Sequence, residues 1–249
     1  MDVLSLEQLL RWKPPAHKDV IADGILYADT AMVLYGEAGS FKSMMAIHLA
    51  FCMVDGIPWL GHQTSKCKVL LGQSEIPQAM FQKRVQKYVS NHHSYSNNLY
   101  FFHDPGLKLD RTYGFGRLLS VIKLVQPDVL ILDPLYKLVS GHIEDSHDVL
   151  ALLDNMDVLK HTYHCSIIII HHEGKSLYNQ EGVIDRGAQA MMGSSYLMNW
   201  PDTRINITSD TYHDLSTITY DNVRHAETIL EPVHLKFNRS TLGWKMLEE

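Results

Sequence analysis

The chain has 249 residues, 45% of them hydrophobic and 20% charged, with a formal net charge of −6. This composition supplies a globular core and excludes the low-hydrophobicity, high-charge class of disordered chains. It also excludes a global basic field for nucleic acid or an anionic membrane, although a ring of subunits can still gather basic loops around a pore.

In chain order, Leu4 to Trp12 predicts a short helix, ended by Pro14-Pro15. Residues 1–30 are expected to form an approach segment packing on the core or on a neighbouring subunit. A single domain is expected over 31–249. Ala31-Met32-Val33-Leu34-Tyr35 reads as a buried strand, and Met44 to Met53 is rich in helix formers. Val69 to Leu71 predicts a second strand and Gln78 to Val89 a helix. Asn97 to His103 predicts a strand, Gly116 to Gln126 a helix, and Asp128 to Asp133 a strand. Leu150, Leu153, Met156 and Leu159 recur near helical spacing within Asp148 to His161, and Ser166 to Ile170 is a buried strand. Such alternation predicts an α/β fold, a mostly parallel sheet covered by helices. After about Ile205 the pattern changes to strands joined by turns, with Ile218-Thr219-Tyr220 and Val233 to Phe237 alternating. This predicts a C-terminal antiparallel extension of the same sheet.

No apolar run reaches the length of a membrane span, and no basic-then-apolar leader opens the chain. Cys52, Cys67 and Cys165 are scattered, with no C-x-x-C pair. A cytoplasmic protein without a disulfide framework or a membrane partner is therefore expected.

The most informative segment is Gly36-Glu37-Ala38-Gly39-Ser40-Phe41-Lys42-Ser43. It has the length and ending of a phosphate-binding P-loop, G-x-x-x-x-G-K-[S/T], with Phe41 where the last glycine belongs. Backbone N–H groups of such a turn converge on phosphate, and the following helix presents its positive end. Lys42 adds a mobile charge, and Ser43 offers a hydroxyl to Mg²⁺. The strand–loop–helix order is the one this chemistry requires. Asp133, at the end of an apolar strand, suits a second ligand of Mg²⁺, directly or through its waters. Glu75 follows another strand and a polar turn, Gly72-Gln73-Ser74, at the same carboxyl edge. It is the candidate to orient attacking water. His171-His172 closes a strand at that edge, where His171 is the candidate to touch a γ-phosphate. His161-x-x-His164 has metal-like spacing, but nothing nearby completes a zinc site. The stretch from Glu173 to Gly193 is polar and holds four glycines, with Lys175 and Arg186 as candidate contacts to nucleic-acid phosphates.

Taken together, Gly36–Ser43, Glu75, Asp133-Pro134-Leu135, Ile167–His172, Arg186-Gly187 and Gly193-Ser194-Ser195 resemble RecA-like P-loop ATPases. The closer likeness is to the plasmid RepA-type hexameric helicase group, relatives of the DnaB-type replicative helicase core. The resemblance runs from about Gly24 to Trp244. It implies a RecA-like core binding ATP and Mg²⁺ at subunit interfaces, with Lys42 and Ser43 on phosphate and metal, Glu75 as the catalytic carboxylate, Asp133 at the metal and His171 as the γ-phosphate sensor. It makes Glu173–Gly193 a DNA-contacting loop facing the centre of a ring. It also makes Arg224, in Asn222-Val223-Arg224-His225, an arginine reaching a neighbour's nucleotide, with Arg204 as the second candidate. Asn222 stands where that family often has lysine, and Phe41 departs from its loop.

The function implied is an ATP-dependent DNA motor, a homohexameric replicative-type helicase of a plasmid, phage or other mobile element. Its partners would be further copies of itself, single-stranded DNA and replication or mobile-element proteins. Two alternatives stay open: a recombination or repair ATPase forming filaments, and a nucleotide-switch regulator with little hydrolysis and a protein partner.

Overall fold

Strands with apolar residues on both faces must be covered on both faces, and the computed structural model shows a nine-stranded sheet between two hydrophobic clusters. The structure describes residues 3–13, 19–92, 96–143, 146–172, 178–179, 182–183 and 195–247.

Helix α1 (Leu6–Arg11) starts at a capping box between Ser5 and Gln8 and buries none of its residues. Leu6, Leu9 and Leu10 are all exposed. Strands β1 (Asp19–Ile21) and β2 (Leu26–Tyr27) form a hairpin whose Val20, Ile21, Ile25 and Leu26 are buried in the core. Then follow β3 (Ala31–Gly36), α2 (Lys42–Asp55), β4 (Val69–Gln73), α3 (Gln78–His92), β5 (Leu99–His103), α4 (Thr112–Val125) and β6 (Val129–Asp133). A 3₁₀ turn (Leu135–Lys137) leads on to α5 (Ser146–Tyr163) and β7 (Ser166–His172). The short hairpin β8 (Tyr178–Asn179) and β9 (Gly182–Val183) precedes α6 (Ser195–Asn199) and four strands: β10 (Thr203–Asp210), β11 (Leu215–Val223), β12 (Val233–Asn238) and β13 (Gly243–Met246).

The strand order is β13-β12-β11-β10-β3-β7-β6-β4-β5. From β10 to β5 neighbouring strands are parallel, and from β10 to β13 they are antiparallel. The parallel sheet and its C-terminal antiparallel extension agree with the expectation from the apolar pattern. Helix α4 begins four residues before the expected Gly116. Gly114 lies inside it, where a Cβ would come 1.9 Å from the backbone oxygen of Lys108. The hairpins β1–β2 and β8–β9 and helix α6 are too short to announce themselves by periodicity.

The pleat sorts side chains by parity. Met32 and Leu34 of β3, Val69 and Leu71 of β4, Val129 and Ile131 of β6, and Ile168 and Ile170 of β7 all join the cluster on the α2 face. Their alternates, including Val33, Leu70, Leu130 and Ile169, join the cluster with α5 and α6. Continuing each count to the carboxyl end puts Gln73, Asp133 and His172 on the α2 face. The three cysteines are buried and free. Among the described residues no helix is long and apolar enough to cross a membrane.

Candidate nucleotide site

The site is built where β3 turns into α2. A Cβ at Gly36 would lie 2.2 Å from the backbone oxygen of Ile207 on β10, so only glycine lets the strand leave the sheet there. Gly39 has φ +85°, a conformation glycine adopts freely. Phe41 sits in the same left-handed region, φ 60° and ψ 15°, at the N-terminal cap of α2. For a residue with a Cβ this costs about 1–2 kcal/mol. Aromatic packing offsets it: the Phe41 ring lies 4.6 Å from Phe237 and 6.1 Å from Trp244, centre to centre, and the Arg239 guanidinium sits 5.4 Å from its centre. The residue in the place of glycine thus ties the loop to β12–β13.

Lys42 is buried, and its ammonium donates to the carbonyls of Gly36 at 2.9 Å and Glu37 at 2.5 Å and to the Ser40 hydroxyl at 3.2 Å. Its charge is held over the N-terminal end of α2, where the helix dipole adds to it. Asp133, the last residue of β6, is buried and accepts a hydrogen bond from Gln73 Nε2 at 3.0 Å. Burial pushes its carboxyl up to about 6. The Ser43 hydrogen bond and the charges of Lys42 and Arg84 oppose that rise, and Glu75 reinforces it. Ser43 and Asp133 together present one hydroxyl and one carboxylate, hard oxygen donors that fit Mg²⁺, an ion that keeps several waters and shares phosphate oxygens.

Glu75 is exposed at the mouth of the cavity, and Tyr136 donates its hydroxyl to Glu75 Oε1 at 2.9 Å. Burial, followed by that hydrogen bond, pushes the Tyr136 hydroxyl up to about 12. Gln73 is completely buried, and its Oε1 accepts the backbone N–H groups of Glu75 at 2.5 Å and Ile76 at 3.1 Å. One amide side chain therefore spans from Asp133 to the turn that carries Glu75.

These groups share a cavity of about 500 Å³, lined by the loop, Glu75, Arg84, Asp133, His172 and the β12–β13 turn. The structure brings together Lys42, Ser43, Glu75 and Asp133, four of the residues expected at the site. Of the histidine pair, His172 lines the cavity, while His171 is fully buried and aligned with Tyr35 in the ladder of β3 and β7. Parity is the reason: His172 follows Ile168 and Ile170 onto the α2 face. Burial and the nearby Lys42 lower the affinity of His172 for a proton, against the pull of Glu75.

Arg204 and Arg224 do not line this cavity. Both are tied to the joint between α6 and β10. Arg204 donates to the carbonyl of Met198 at 2.5 Å, and Arg224 donates to the carbonyl of Asn199 and lies 3.8 Å from Asp202. Asp202 accepts the backbone N–H of Ala31, at the other end of β3 from the loop. Lys175 and Arg186 lie outside the described residues. Motif spacing does not single out Gln73, Tyr136, Arg84, His172 or Arg239. Strand parity would have found Gln73 and His172, but the other three come into place only through packing.

The fold matches a solved structure, the ATPase domain of a DnaB-like helicase, with a TM-score of 0.64 over 89% of this chain and 86% of that one, at 12% identity. The sheet order and the placing of the loop are those of a RecA-like core. No curated protein sequence matches the chain significantly. A family model described as an AAA domain matches residues 2–177, a span that includes Gly36–Ser43, Glu75, Asp133 and both histidines of β7. That match covers well over half of the chain, which therefore belongs to this AAA-domain family and folds as a RecA-like P-loop ATPase domain.

Proposed function

We propose that the protein is an ATP-dependent DNA motor, a homohexameric helicase of the replicative type serving a plasmid, phage or other mobile element. The observation that carries this reading is the meeting, in one cavity at the carboxyl edge of a parallel sheet, of Lys42 at a helix N-terminus, Ser43, Asp133 and Glu75.

In this reading the loop N–H groups and Lys42 bind the triphosphate of ATP. Mg²⁺, held by Ser43 and Asp133, neutralises charge on the phosphate oxygens. Glu75, steadied by the Tyr136 hydroxyl, orients the attacking water. Gln73 holds Asp133 and the Glu75 turn in one arrangement. His172, with His171 behind it on the same strand, registers the γ-phosphate and passes its presence to the segment after β7, where Lys175 and Arg186 are assigned to DNA.

Charge completion in trans falls to Arg224. It is exposed at the edge of the sheet opposite its own loop, which suits a group that acts on a neighbouring subunit's nucleotide. Arg204 is turned inward toward α6, which makes it the weaker candidate. The exposed leucines of α1 support packing of residues 1–30 on a neighbouring subunit, with the ATPase domain over 31–249.

The test is steady-state ATP hydrolysis with and without single-stranded DNA, with Lys42→Ala as the control. Stimulation by DNA that disappears in the variant is the expected result. Tight ATP binding without turnover under either condition would instead favour a nucleotide-switch regulator.

A further inference from the structure

Three cationic side chains line the nucleotide cavity: Lys42, Arg84 and Arg239. Two are committed to their own chain. Lys42 is held by its loop, and Arg239 is fixed by Asp214, 2.6 Å from Nε, and by the carbonyl of Thr211 at 2.7 Å. Arg84, in the middle of α3, differs. It is half-buried and makes no hydrogen bond or ion pair with any described residue. A half-buried guanidinium carries five N–H donors, and leaving them without acceptors is costly.

The acidic groups nearby do not use it. Glu75 is engaged by Tyr136, and Asp133 by Gln73 and Ser43. Its charge nevertheless reaches Asp133, which places it within electrostatic range of the proposed metal position. Direction agrees with this placing. Side chains on a helix lean toward its N-terminus, and the N-terminus of α3 follows directly on Glu75 at the carboxyl edge of the sheet.

We infer that Arg84 is a nucleotide ligand supplied in cis, its guanidinium binding the phosphate chain of the nucleotide held by the loop. The planar fork matches two phosphate oxygens at once, which the Lys42 ammonium cannot do. The inference rests on the nucleotide-binding reading above and assigns a residue that no P-loop motif contains. It also separates two duties. Arg84 sets the affinity of a single subunit for nucleotide, and Arg224 acts only after subunits meet.

The experiment is titration of the full chain with Mg²⁺ and a fluorescent N-methylanthraniloyl ATP, in the parent, Arg84→Ala, Arg84→Lys and Lys42→Ala, beside thermal unfolding without nucleotide. Arg84→Ala should lose about 10–100-fold in affinity, the range for a hydrogen-bonded charge. Arg84→Lys should recover part of that loss, and neither variant should shift the ligand-free unfolding midpoint. Affinity within twofold of the parent in Arg84→Ala, while Lys42→Ala loses binding, would overturn the assignment of Arg84 and leave the site itself standing. So would a loss of affinity accompanied by a drop of several degrees in the ligand-free midpoint, the mark of a structural role. Parent-like binding by Lys42→Ala would instead overturn the nucleotide-binding reading of the loop.

Discussion

Gln73 donates its side-chain N–H to Asp133 Oδ2 at 3.0 Å, and both residues are buried at the carboxyl ends of neighbouring parallel strands. They are also register partners in the ladder of β4 and β6. Because the other end of the same amide accepts the N–H groups of Glu75 and Ile76, one side chain sets both the proposed metal ligand and the turn of the proposed water-orienting carboxylate. Replacing Gln73 by leucine keeps the volume and removes all three bonds. Turnover of ATP should fall about 10–100-fold, the usual scale for loss of an orienting partner behind a metal ligand. Nucleotide affinity should stay within a few-fold of the parent, as read by steady-state kinetics beside direct binding.

Phe41→Gly restores the usual P-loop sequence and should nevertheless destabilise the protein. It removes a backbone cost of about 1–2 kcal/mol. It also forfeits the burial of a phenyl ring, about 1.5–3 kcal/mol when complete and less here, and aromatic pairing of about 0.5–1.5 kcal/mol. Glycine adds a further backbone-entropy cost of about 0.5–1 kcal/mol. The losses win by roughly 1–2 kcal/mol, a drop of about 2–8 °C in the unfolding midpoint at this chain length. Calorimetry without nucleotide decides it, and a raised midpoint would mean that the ring contributes less than its surroundings suggest.

The two histidines of β7 should separate by assay. His172→Ala removes a side chain from the cavity wall and should lower turnover at least tenfold while leaving the unfolding midpoint close to the parent's. His171→Ala removes a fully buried ring and should lower the midpoint by several degrees. The opposite pattern would return the sensor role to His171.

Stability should fall with acid through His48. Burial, with the neighbouring His92 as the second cause, lowers its pKa from 6.5 to about 4, and its Nδ1 is paired with the Tyr88 hydroxyl at 2.8 Å. A depressed folded-state pKa means that the unfolded chain takes up the proton first. The contribution of His48 is therefore complete above pH 6.5 and lost progressively between 6.5 and about 4. At 1.36 kcal/mol per pK unit the loss is about 3 kcal/mol. His48→Gln should flatten the midpoint-versus-pH curve in that window. An unchanged slope would assign the acid sensitivity to other groups.

Much of this was legible in the chain itself. The apolar runs ending at Tyr35, Leu71, Leu132 and Ile170 each become a parallel strand, because a strand buried on both faces has no polar alternative. The loop, Lys42, Ser43, Glu75 and Asp133 were legible because phosphate and metal chemistry demand fixed residue types at the ends of such strands. Packing decided the remainder. Whether His171 or His172 faces the cavity depends on which side of the sheet α2 covers. Gln73 looks like one more polar turn residue until β4 and β6 are paired in register. Arg84, Tyr136 and Arg239 reach the cavity from a helix, a 3₁₀ turn and a distant hairpin. No spacing along the chain encodes those approaches, because they are set by distances across the fold. Sequence by itself determined the strand ends and the chemistry they carry, which are local, whereas the tertiary structure alone decided which side chains surround that chemistry, since only packing brings together residues far apart along the chain.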